Sequence, residues 1–222
     1  MEESPSSRLA GRAVVVTAGG TREPIDPVRY LGNRSSGRMG NAIAVAAADR
    51  GAAVTLVTAA RPPDDPRLQL VEVETAADMD AAVRAALPGA ALLVMAAAVA
   101  DYRPAEVARR KLKKRDALTL ELVPTVDILG GLAADPLRSG VMVVGFAAET
   151  DDLEANAARK LREKSLDLIV LNDVADPSIG MSSEHNAVTV IAAGGVIARV
   201  DRRPKSEVAA ALLDIVEDRL PA

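Results

Sequence analysis

The sequence contains no cysteine and only one histidine, His185, among its 222 residues. Without thiols, the chain has no disulfide, no cysteine-ligated metal centre and no thiolate nucleophile. A single histidine cannot form a multi-histidine metal cluster, and a Ser-His-Asp triad would have to use His185 itself. Because His185 lies in a polar segment, we assign it no catalytic role.

Aromatic residues make up 1% of the chain, and they are Tyr30, Tyr102 and Phe146. Each lies at or near a predicted strand end or loop. A core of Ala, Val and Leu has no evident packing need for them at these positions. They are therefore candidates for a stacking or lid role.

Long apolar runs are also absent. The longest, residues 86–100, is interrupted by Pro88 and Gly89 and is too short for a membrane span. No apolar run follows Met1, so a secretory signal is not predicted. The net charge of −4 disfavours bulk nucleic-acid binding. We expect a soluble cytoplasmic protein without membrane or nucleic-acid partners.

The composition that remains, 49% hydrophobic and 26% charged, is that of a globular chain. Residues 1–11 are polar and contain a proline, so they are predicted to be a tail or linker, followed by one domain over residues 12–222. Apolar strands alternate with amphipathic helices, which is typical of a parallel sheet covered on both faces. The predicted strands are residues 12–18, 52–59, 68–74, 91–100, 117–123, 141–147 and 166–172, with a hairpin over 186–200; the predicted helices are residues 37–50, 75–87, 126–134, 151–165 and 205–220.

The stretch GNRSSGRMGNAIA, residues 32–44, joins polar residues to the start of a helix. Ser35 and Ser36 are good N-caps for a helix at Gly37, and helix N-termini bind anions. Gly37 and Gly40 would let a phosphate approach the backbone. The alternative is a capped helix whose glycines allow close packing on a strand. Neither a dinucleotide-binding GxGxxG nor a Walker A motif is present.

Two groups of cations stand out in this acidic chain. Six of the seven residues 109–115, RRKLKKR, are cationic. A solvated loop and a nucleic-acid patch are possible, but no aromatic is interleaved for base stacking, and the charge suits a polyphosphate ligand. Lys160 and Lys164 lie one helical turn apart, where a shared anion would offset their repulsion; two solvated lysines are the alternative.

Several long motifs occur in one order: TAGGTREPIDPVRYLGNRSSGRMG, AAAVADYRP followed by KLKK, VGFAAET and LNDV. Together they resemble phosphopantothenoylcysteine synthetases of the bacterial, CTP-using type, over nearly all of residues 12–222. The resemblance implies a Rossmann-like fold, mostly parallel with helices on both faces, plus a C-terminal hairpin and helix. It also implies a homodimer and a mobile flap near residues 103–116 (below, the flap).

The activity implied by this resemblance is phosphopantothenate–cysteine ligation with CTP and Mg²⁺. 4′-Phosphopantothenate is activated to an acyl-cytidylate, which L-cysteine then converts to 4′-phosphopantothenoylcysteine. The resemblance further implies that a flavin-dependent decarboxylase domain can precede this one in a native chain.

The resemblance assigns residues one by one. Asn33 matches the asparagine that holds the acyl-cytidylate, Arg29 an arginine of the second half-reaction, and Lys111 the essential flap lysine. Asp101 matches the carboxylate facing the triphosphate and its cation, and Asn33, Ala97 and Ala98 match the substrate site. The segment 126–129 matches a cytosine-binding segment, with Val126 in place of proline and Thr125 before it in place of asparagine. The implied nucleotide-binding residues are Gly19, Ser35, Gly37, Gly40, Met95, Ala96, Ala97, Asp101, Lys111, Val126, Asp127, Ile128, Leu129, Phe146, Lys160, Lys164 and Asn172.

Two other functions are kept as alternatives. The first is a Rossmann-type NAD(P)-dependent oxidoreductase, which the missing glycine fingerprint disfavours. The second is a non-catalytic nucleotide-binding regulatory module, which pyrophosphate release with all three substrates present would exclude.

Overall fold

A computed structural model describes residues 7–114, 117–149, 153–173 and 183–221. Arg115, the last residue of the RRKLKKR run, lies outside these residues. In chain order the elements are β1 (Ala13–Ala18), β2 (Arg22–Pro24), β3 (Tyr30–Gly32), α1 (Arg38–Asp49), β4 (Ala53–Thr58), β5 (Gln69–Glu72), α2 (Ala76–Ala86), β6 (Ala90–Met95), β7 (Tyr102–Pro104), β8 (Leu122–Pro124), α3 (Ile128–Leu132), β9 (Met142–Glu149), α4 (Leu153–Glu163), β10 (Leu168–Asp173), β11 (His185–Ala192), β12 (Gly195–Pro204) and α5 (Lys205–Glu217).

One eight-stranded sheet organises the chain, in the order β12-β11-β10-β9-β6-β1-β4-β5. The six strands from β10 to β5 pair in parallel, and β11 and β12 are antiparallel additions at one edge. The predicted Rossmann-like sheet with a C-terminal hairpin is therefore confirmed. The strand order reverses beside β1, because the chain runs outward through β4 and β5 and then returns to place β6 on the other side.

Helices cover both faces of this sheet, as predicted. Because side chains alternate along a strand, Val14 of β1 faces the layer that contains Ile43 of α1 and Leu212 of α5. Its neighbour Val15 faces the other layer, with Met79 of α2. All five side chains are at most 1% exposed. The small core residues thus bury the parallel strands on both sides.

The helix α2 shows why its ends could be predicted. Thr75 accepts a hydrogen bond from the Asp78 backbone N–H at 3.1 Å, and the Asp78 carboxylate accepts one from the Thr75 N–H at 3.0 Å. This reciprocal capping box satisfies two backbone donors at the helix start. The hydrogen bonds to its carboxylate keep the pKa of Asp78 below its usual value, chiefly through the Thr75 backbone.

Two small hairpins were not predicted. β2 pairs with β3, and β7 pairs with β8, each over three residues. The predicted strand at residues 117–123 is largely wrong, because only 122–124 are extended and they pair with β7 instead of joining the central sheet.

The predicted tail also needs correction, because residues 7–11 pack onto the domain. Leu9 is fully buried in the core beside α5. Ser7 donates a hydrogen bond to the Glu217 carboxylate, and Arg8 donates to the carbonyls of Glu217 and Leu220. The folded unit therefore begins before residue 12.

The described residues contain no helix with the length and apolarity needed to cross a bilayer. The longest, α5, has 13 residues.

Candidate active site at the carboxyl edge of the sheet

A cavity of about 560 Å³ is lined by residues from β6, β9 and β10 and by the start of α1, the helix that follows β1 in the main sheet. This is the point where the strand order reverses, the usual ligand site of open parallel sheets. Most of the predicted site residues lie in its wall. Those members are Asn33, Ser35, Gly37, Gly40, Met95, Ala96, Ala97, Ala98, Asp101, Val126, Asp127, Ile128, Leu129, Phe146, Lys160, Lys164 and Asn172.

The segment after β6, residues 96–101, is fixed by two buried threonines. The Thr17 hydroxyl accepts a hydrogen bond from the Ala97 N–H at 3.1 Å, and the Thr21 hydroxyl accepts one from the Ala100 N–H at 2.9 Å. Both threonines are fully buried. The alanine side chains leave space for a ligand, while these backbone hydrogen bonds hold the segment rigid.

Asn33 is held against the same segment. Its Nδ2 donates to the Val99 carbonyl at 2.9 Å. An amide group has a second N–H and an acceptor oxygen. The Asn33 side chain can therefore hold the cavity wall in place and contact a ligand at the same time.

The start of α1 differs from the prediction. Neither Ser35 nor Ser36 is the N-cap; that position belongs to Gly37, which has a φ of 74° and no side-chain cap. A Cβ at Gly37 would lie 2.7 Å from the Cβ of Ala60. Glycine is required here by backbone conformation and by space. The first residues of α1, Arg38 to Gly40, line the cavity.

Gly40 supports the packing interpretation of the glycine pattern. A Cβ at this position would lie 2.6 Å from the Thr17 carbonyl oxygen of β1. The missing side chain brings α1 directly onto the sheet. Gly40 also lies in the cavity wall, so close packing and ligand access occur at the same residue.

At the opposite side of the cavity, Asp127 links two elements. It caps α3 by accepting a hydrogen bond from the Gly130 N–H at 2.9 Å, and it forms an ion pair with Lys164, the residue after α4. Burial alone would raise the pKa of Asp127, but the hydrogen bonds from Lys164 and Gly130 outweigh it and the pKa lies below its usual value. The Asp127 carboxylate thus holds Lys164 at the cavity.

Thr125 stands where the related family commonly has asparagine. Its N–H donates to the Asp101 carbonyl at 2.9 Å, and its hydroxyl donates to the Ala100 carbonyl at 2.5 Å. These hydrogen bonds join the segment before α3 to the segment after β6. Thr125 thus forms a polar link between two walls of the cavity.

Asn172 carries an unsatisfied acceptor. Its Oδ1 is buried and accepts no hydrogen bond from any of the described residues. It lies in the cavity wall, as does half-buried Phe146 on the neighbouring strand β9. A buried acceptor without a donor costs roughly 1–3 kcal/mol, which a ligand N–H or O–H could offset.

The wall residues that the sequence analysis missed include three with polar or charged side chains, which are Arg38, Asn186 and Lys205. Lys205 is 7% exposed and donates to the Ser183 carbonyl at 2.6 Å, while Arg38 pairs with Glu184 at 2.6 Å. Burial, followed by the charge of Arg38, lowers the pKa of Lys205. A signal was available, because Lys205 continues the apolar stripe that Val208 and Leu212 form on α5.

Three predicted residues lie outside the cavity wall. Gly19 is in the turn after β1, and its carbonyl accepts a hydrogen bond from the Ala98 N–H at 2.8 Å. Arg29 contacts Asp26 and the Leu112 carbonyl. Lys111 is exposed on the flap. Of the three aromatic residues, only Phe146 lines the cavity, whereas Tyr30 and Tyr102 are more than half exposed.

Asp101 is the carboxylate available to a cation. It is exposed in the cavity wall, and its side chain makes no hydrogen bond or ion pair with the described residues. No group of three or more His, Asp or Glu side chains in the described residues could hold a metal ion. Mg²⁺ in nucleotide sites commonly uses one or two carboxylates plus phosphate oxygens. Asp101 therefore fits an ion that arrives with a nucleotide.

The family model of the DNA/pantothenate metabolism flavoprotein C-terminal domain matches residues 9–220. The chain belongs to this family. The relationship predicted from the motifs is confirmed, and the match begins at buried Leu9. This agrees with the corrected start of the folded unit.

Relatives of this flavoprotein C-terminal domain include the coenzyme A biosynthesis bifunctional proteins CoaBC. The chain is 48% identical over 191 residues to that of Escherichia coli K12, covering 83% of the chain and 47% of the relative. It is 44% identical to that of Bacillus subtilis 168, covering 85% and 47%. The chain spans about half the length of these curated relatives.

A crystal structure of a CoaBC C-terminal domain has the same fold. It superimposes with a TM-score of 0.78 at 39% identity, covering 96% of this chain and 97% of that one. The flavoprotein C-terminal domain described here therefore corresponds to a unit already seen as a separate structure.

Proposed function

We propose that the chain is a CTP-dependent phosphopantothenate–cysteine ligase. The carboxylate of 4′-phosphopantothenate attacks the α-phosphorus of CTP, and the bond to the bridging oxygen breaks to release pyrophosphate. The amine of L-cysteine then attacks the acyl carbon, a proton is lost, and the acyl–oxygen bond breaks to release CMP. The observation that carries the proposal is the match to proteins named for coenzyme A biosynthesis over 83% of the chain.

Two anions must meet in the first step, so neutralising charge is the main task of the site. The N-terminus of α1, which lies in the cavity wall, can offer backbone N–H groups to a phosphate. Lys160 of α4 and Lys164, just after α4, also line the cavity, and Asp127 orients Lys164. Catalysis then consists of positioning and electrostatic stabilisation, which agrees with the absence of cysteine.

Asp101 is the residue we assign to the cation. When bound with CTP, Mg²⁺ would neutralise phosphate charge, with Asp101 supplying the protein ligand. The remaining contacts to the triphosphate come from the backbone and the lysines.

For the second step we assign Asn33 and Arg29. The Asn33 amide can orient the acyl carbonyl while its bond to Val99 holds the wall in place. Arg29 lies outside the wall in this structure, beside the flap.

The proposal has three further parts. They are a homodimer, an upstream flavin-dependent decarboxylase domain and a cytoplasmic location.

The oxidoreductase alternative has less support. In dinucleotide-binding folds the first strand leads through a glycine-rich turn directly into a helix. Here β1 ends at Ala18, and the β2–β3 hairpin intervenes before α1 begins at Arg38. The phosphate-binding turn of such enzymes has no counterpart.

The nucleotide preference is the first prediction. We expect CTP to support pyrophosphate release at least about tenfold faster than ATP, equivalent to about 1.4 kcal/mol. The backbone of residues 126–129 and the Asn172 acceptor together suit the hydrogen-bond pattern of cytosine. The assay contains phosphopantothenate and cysteine with either nucleotide. Equal turnover with ATP would contradict the preference, and CTP binding without pyrophosphate release would favour the regulatory module.

Asn172→Ala is expected to weaken CTP binding about tenfold, because the unsatisfied Oδ1 loses its ligand donor. The melting temperature of the ligand-free protein should not fall, because no described residue donates to that atom. Asn41→Ala is a matched control: its Oδ1 is likewise buried and unsatisfied, but it lies in a separate groove between α1 and α5. Titration calorimetry with CTP tests both, and unchanged affinity in Asn172→Ala would overturn the assignment.

A further inference from the structure

The turn at residues 25–29 and the flap meet at one carboxylate, that of Asp26. Its Oδ1 accepts hydrogen bonds from the N–H groups of Val28 at 2.9 Å and Arg29 at 3.0 Å. Its Oδ2 accepts from Arg29 Nε at 3.0 Å and Nη2 at 2.5 Å, and from the Leu112 N–H at 3.1 Å. One side chain thus joins the turn, the Arg29 guanidinium and the flap.

Leu112 is held at both of its backbone polar groups. Its N–H donates to Asp26, and its carbonyl accepts from Arg29 Nη2 at 3.1 Å. The flap is held a second time where the Ala108 N–H donates to the Ile25 carbonyl at 3.0 Å. Lys111 lies between these two attachment points, next to Leu112.

We propose that Asp26 is a positioning residue for both half-reactions, because it fixes Arg29 and the flap backbone beside Lys111 at the same time. This inference rests on the proposed function, which assigns Lys111 to the first step and Arg29 to the second. Among the described residues, Asp26 forms hydrogen bonds with Val28, Arg29 and Leu112, none of which lines the cavity, so it acts through Arg29 and the flap.

The charge of Asp26 is essential to this arrangement. The side chain is fully buried, and a buried carboxylate is tolerated when it is paired and hydrogen-bonded. The hydrogen bond from Arg29 is the main reason that the pKa of Asp26 lies well below its usual range, against the opposing effect of burial. The carboxylate therefore remains ionised in neutral solution and attracts a flap segment that carries five cations over residues 109–114.

A comparison within the chain separates this role from ordinary turn stabilisation. Asp65 makes the same local contacts with Arg67, at 3.0 Å to the backbone N–H, 2.9 Å to Nε and 2.6 Å to Nη2. In the described residues, the Asp65 carboxylate bonds only to Arg67. Asp26 has two contacts in addition, a local one from the Val28 N–H and a distant one from the Leu112 N–H, 86 residues along the chain.

The main test compares Asp26→Asn with Asp65→Asn in single-turnover assays. One assay measures pyrophosphate release without cysteine, and the other measures conversion of preformed acyl-cytidylate by cysteine. We expect Asp26→Asn to slow both steps by about 10- to 100-fold, because small misplacements cost this much, with CTP affinity changed less than threefold. Asp65→Asn should retain wild-type rates.

Limited trypsin digestion gives a readout independent of activity. The described flap offers five cleavage sites over residues 109–114. We expect cleavage there to be about fivefold faster in Asp26→Asn, because the flap is then held less tightly by residue 26. A second pair of variants leaves Asp26 intact. Leu112→Pro removes the N–H donor and, because trypsin does not cleave before proline, also the site after Lys111. Cleavage at the four remaining sites should be faster and the first step slow, whereas Leu112→Ala, which keeps the N–H, should show neither change.

Each outcome decides the inference. Wild-type rates in Asp26→Asn would overturn it, as would wild-type flap cleavage. If Asp26→Asn does not fold, Leu112→Pro decides, and normal pyrophosphate release by that variant overturns the proposal. If the wild-type protein itself makes no product, the proposed function fails and the catalytic role of Asp26 fails with it. The digestion pattern of Asp26→Asn and Leu112→Pro then decides separately whether Asp26 holds the flap.

Discussion

Lys111→Gln is expected to lose acyl-cytidylate formation by on the order of 100-fold or more. Glutamine keeps much of the length of lysine but removes the positive charge that would stabilise the α-phosphate in the transition state. Lys111 is exposed and outside the cavity wall in this structure, so its effect on the ligand depends on how the flap is positioned. CTP affinity should therefore fall less than turnover does. Pyrophosphate release without cysteine, under single-turnover conditions, measures the effect.

The neighbouring lysines of the flap provide the control. Lys113→Gln and Lys114→Gln remove the same charge from the same segment, and both residues are exposed like Lys111. If general attraction of the flap to polyphosphate were sufficient, all three variants would lose a similar small factor. Near-normal release by Lys111→Gln would refute its assignment and transfer the role to Lys113 or Lys114.

Asn33→Asp is expected to separate the two half-reactions. The variant should still form acyl-cytidylate, because the first step depends on the flap lysine and the cation. It should then fail to pass the acyl group efficiently to cysteine, since aspartate keeps the size but lacks the donor and adds negative charge beside an anion. The expected observation is an intermediate that accumulates with CTP and phosphopantothenate and persists after cysteine is added.

The hydrogen bond between Asn33 and Val99 determines how a different result for Asn33→Asp would be interpreted. Asn33 does not cap α1, whose N-cap is Gly37, but donates to the Val99 carbonyl at 2.9 Å. Aspartate would place a carboxylate against that carbonyl and could displace residues 96–101. A variant that makes no intermediate would therefore indicate that Asn33 serves the wall of the cavity. Conversion of the intermediate at the wild-type rate would remove Asn33 from catalysis altogether.

The main sheet could be predicted because its strands are buried on both faces. Strands such as β1 are therefore continuous apolar runs, as in Val14 to Val16. Such runs are typical of a parallel sheet whose two faces are both covered. The start of α2 could also be predicted, because the two residues that cap it, Thr75 and Asp78, lie within four residues of each other. These features are local, and a local pattern is enough to specify them.

The features that escaped prediction depend on distant contacts. Strands of three residues, such as β2 and β7, are too short to show periodicity. The alternating segment at 117–123 carries a strand pattern, but most of it pairs with nothing in the described residues. Ser35 has the chemistry of an N-cap, but Gly37 takes that position because of space limits set by Ala60. Lys205 joins the cavity only because α5 folds back beside α1.

This return of α5 has a consequence for biosynthesis. Val208, Leu212 and Val216 complete the apolar layer that α1 begins on one face of the sheet. A ribosome releases α5 after every other element described here, so until then that face of the growing sheet exposes apolar side chains to solvent. Such a nascent chain is a candidate for chaperone capture or premature association. Because Lys205 opens the same helix, the cavity acquires its last wall residue only when synthesis of the domain is nearly finished.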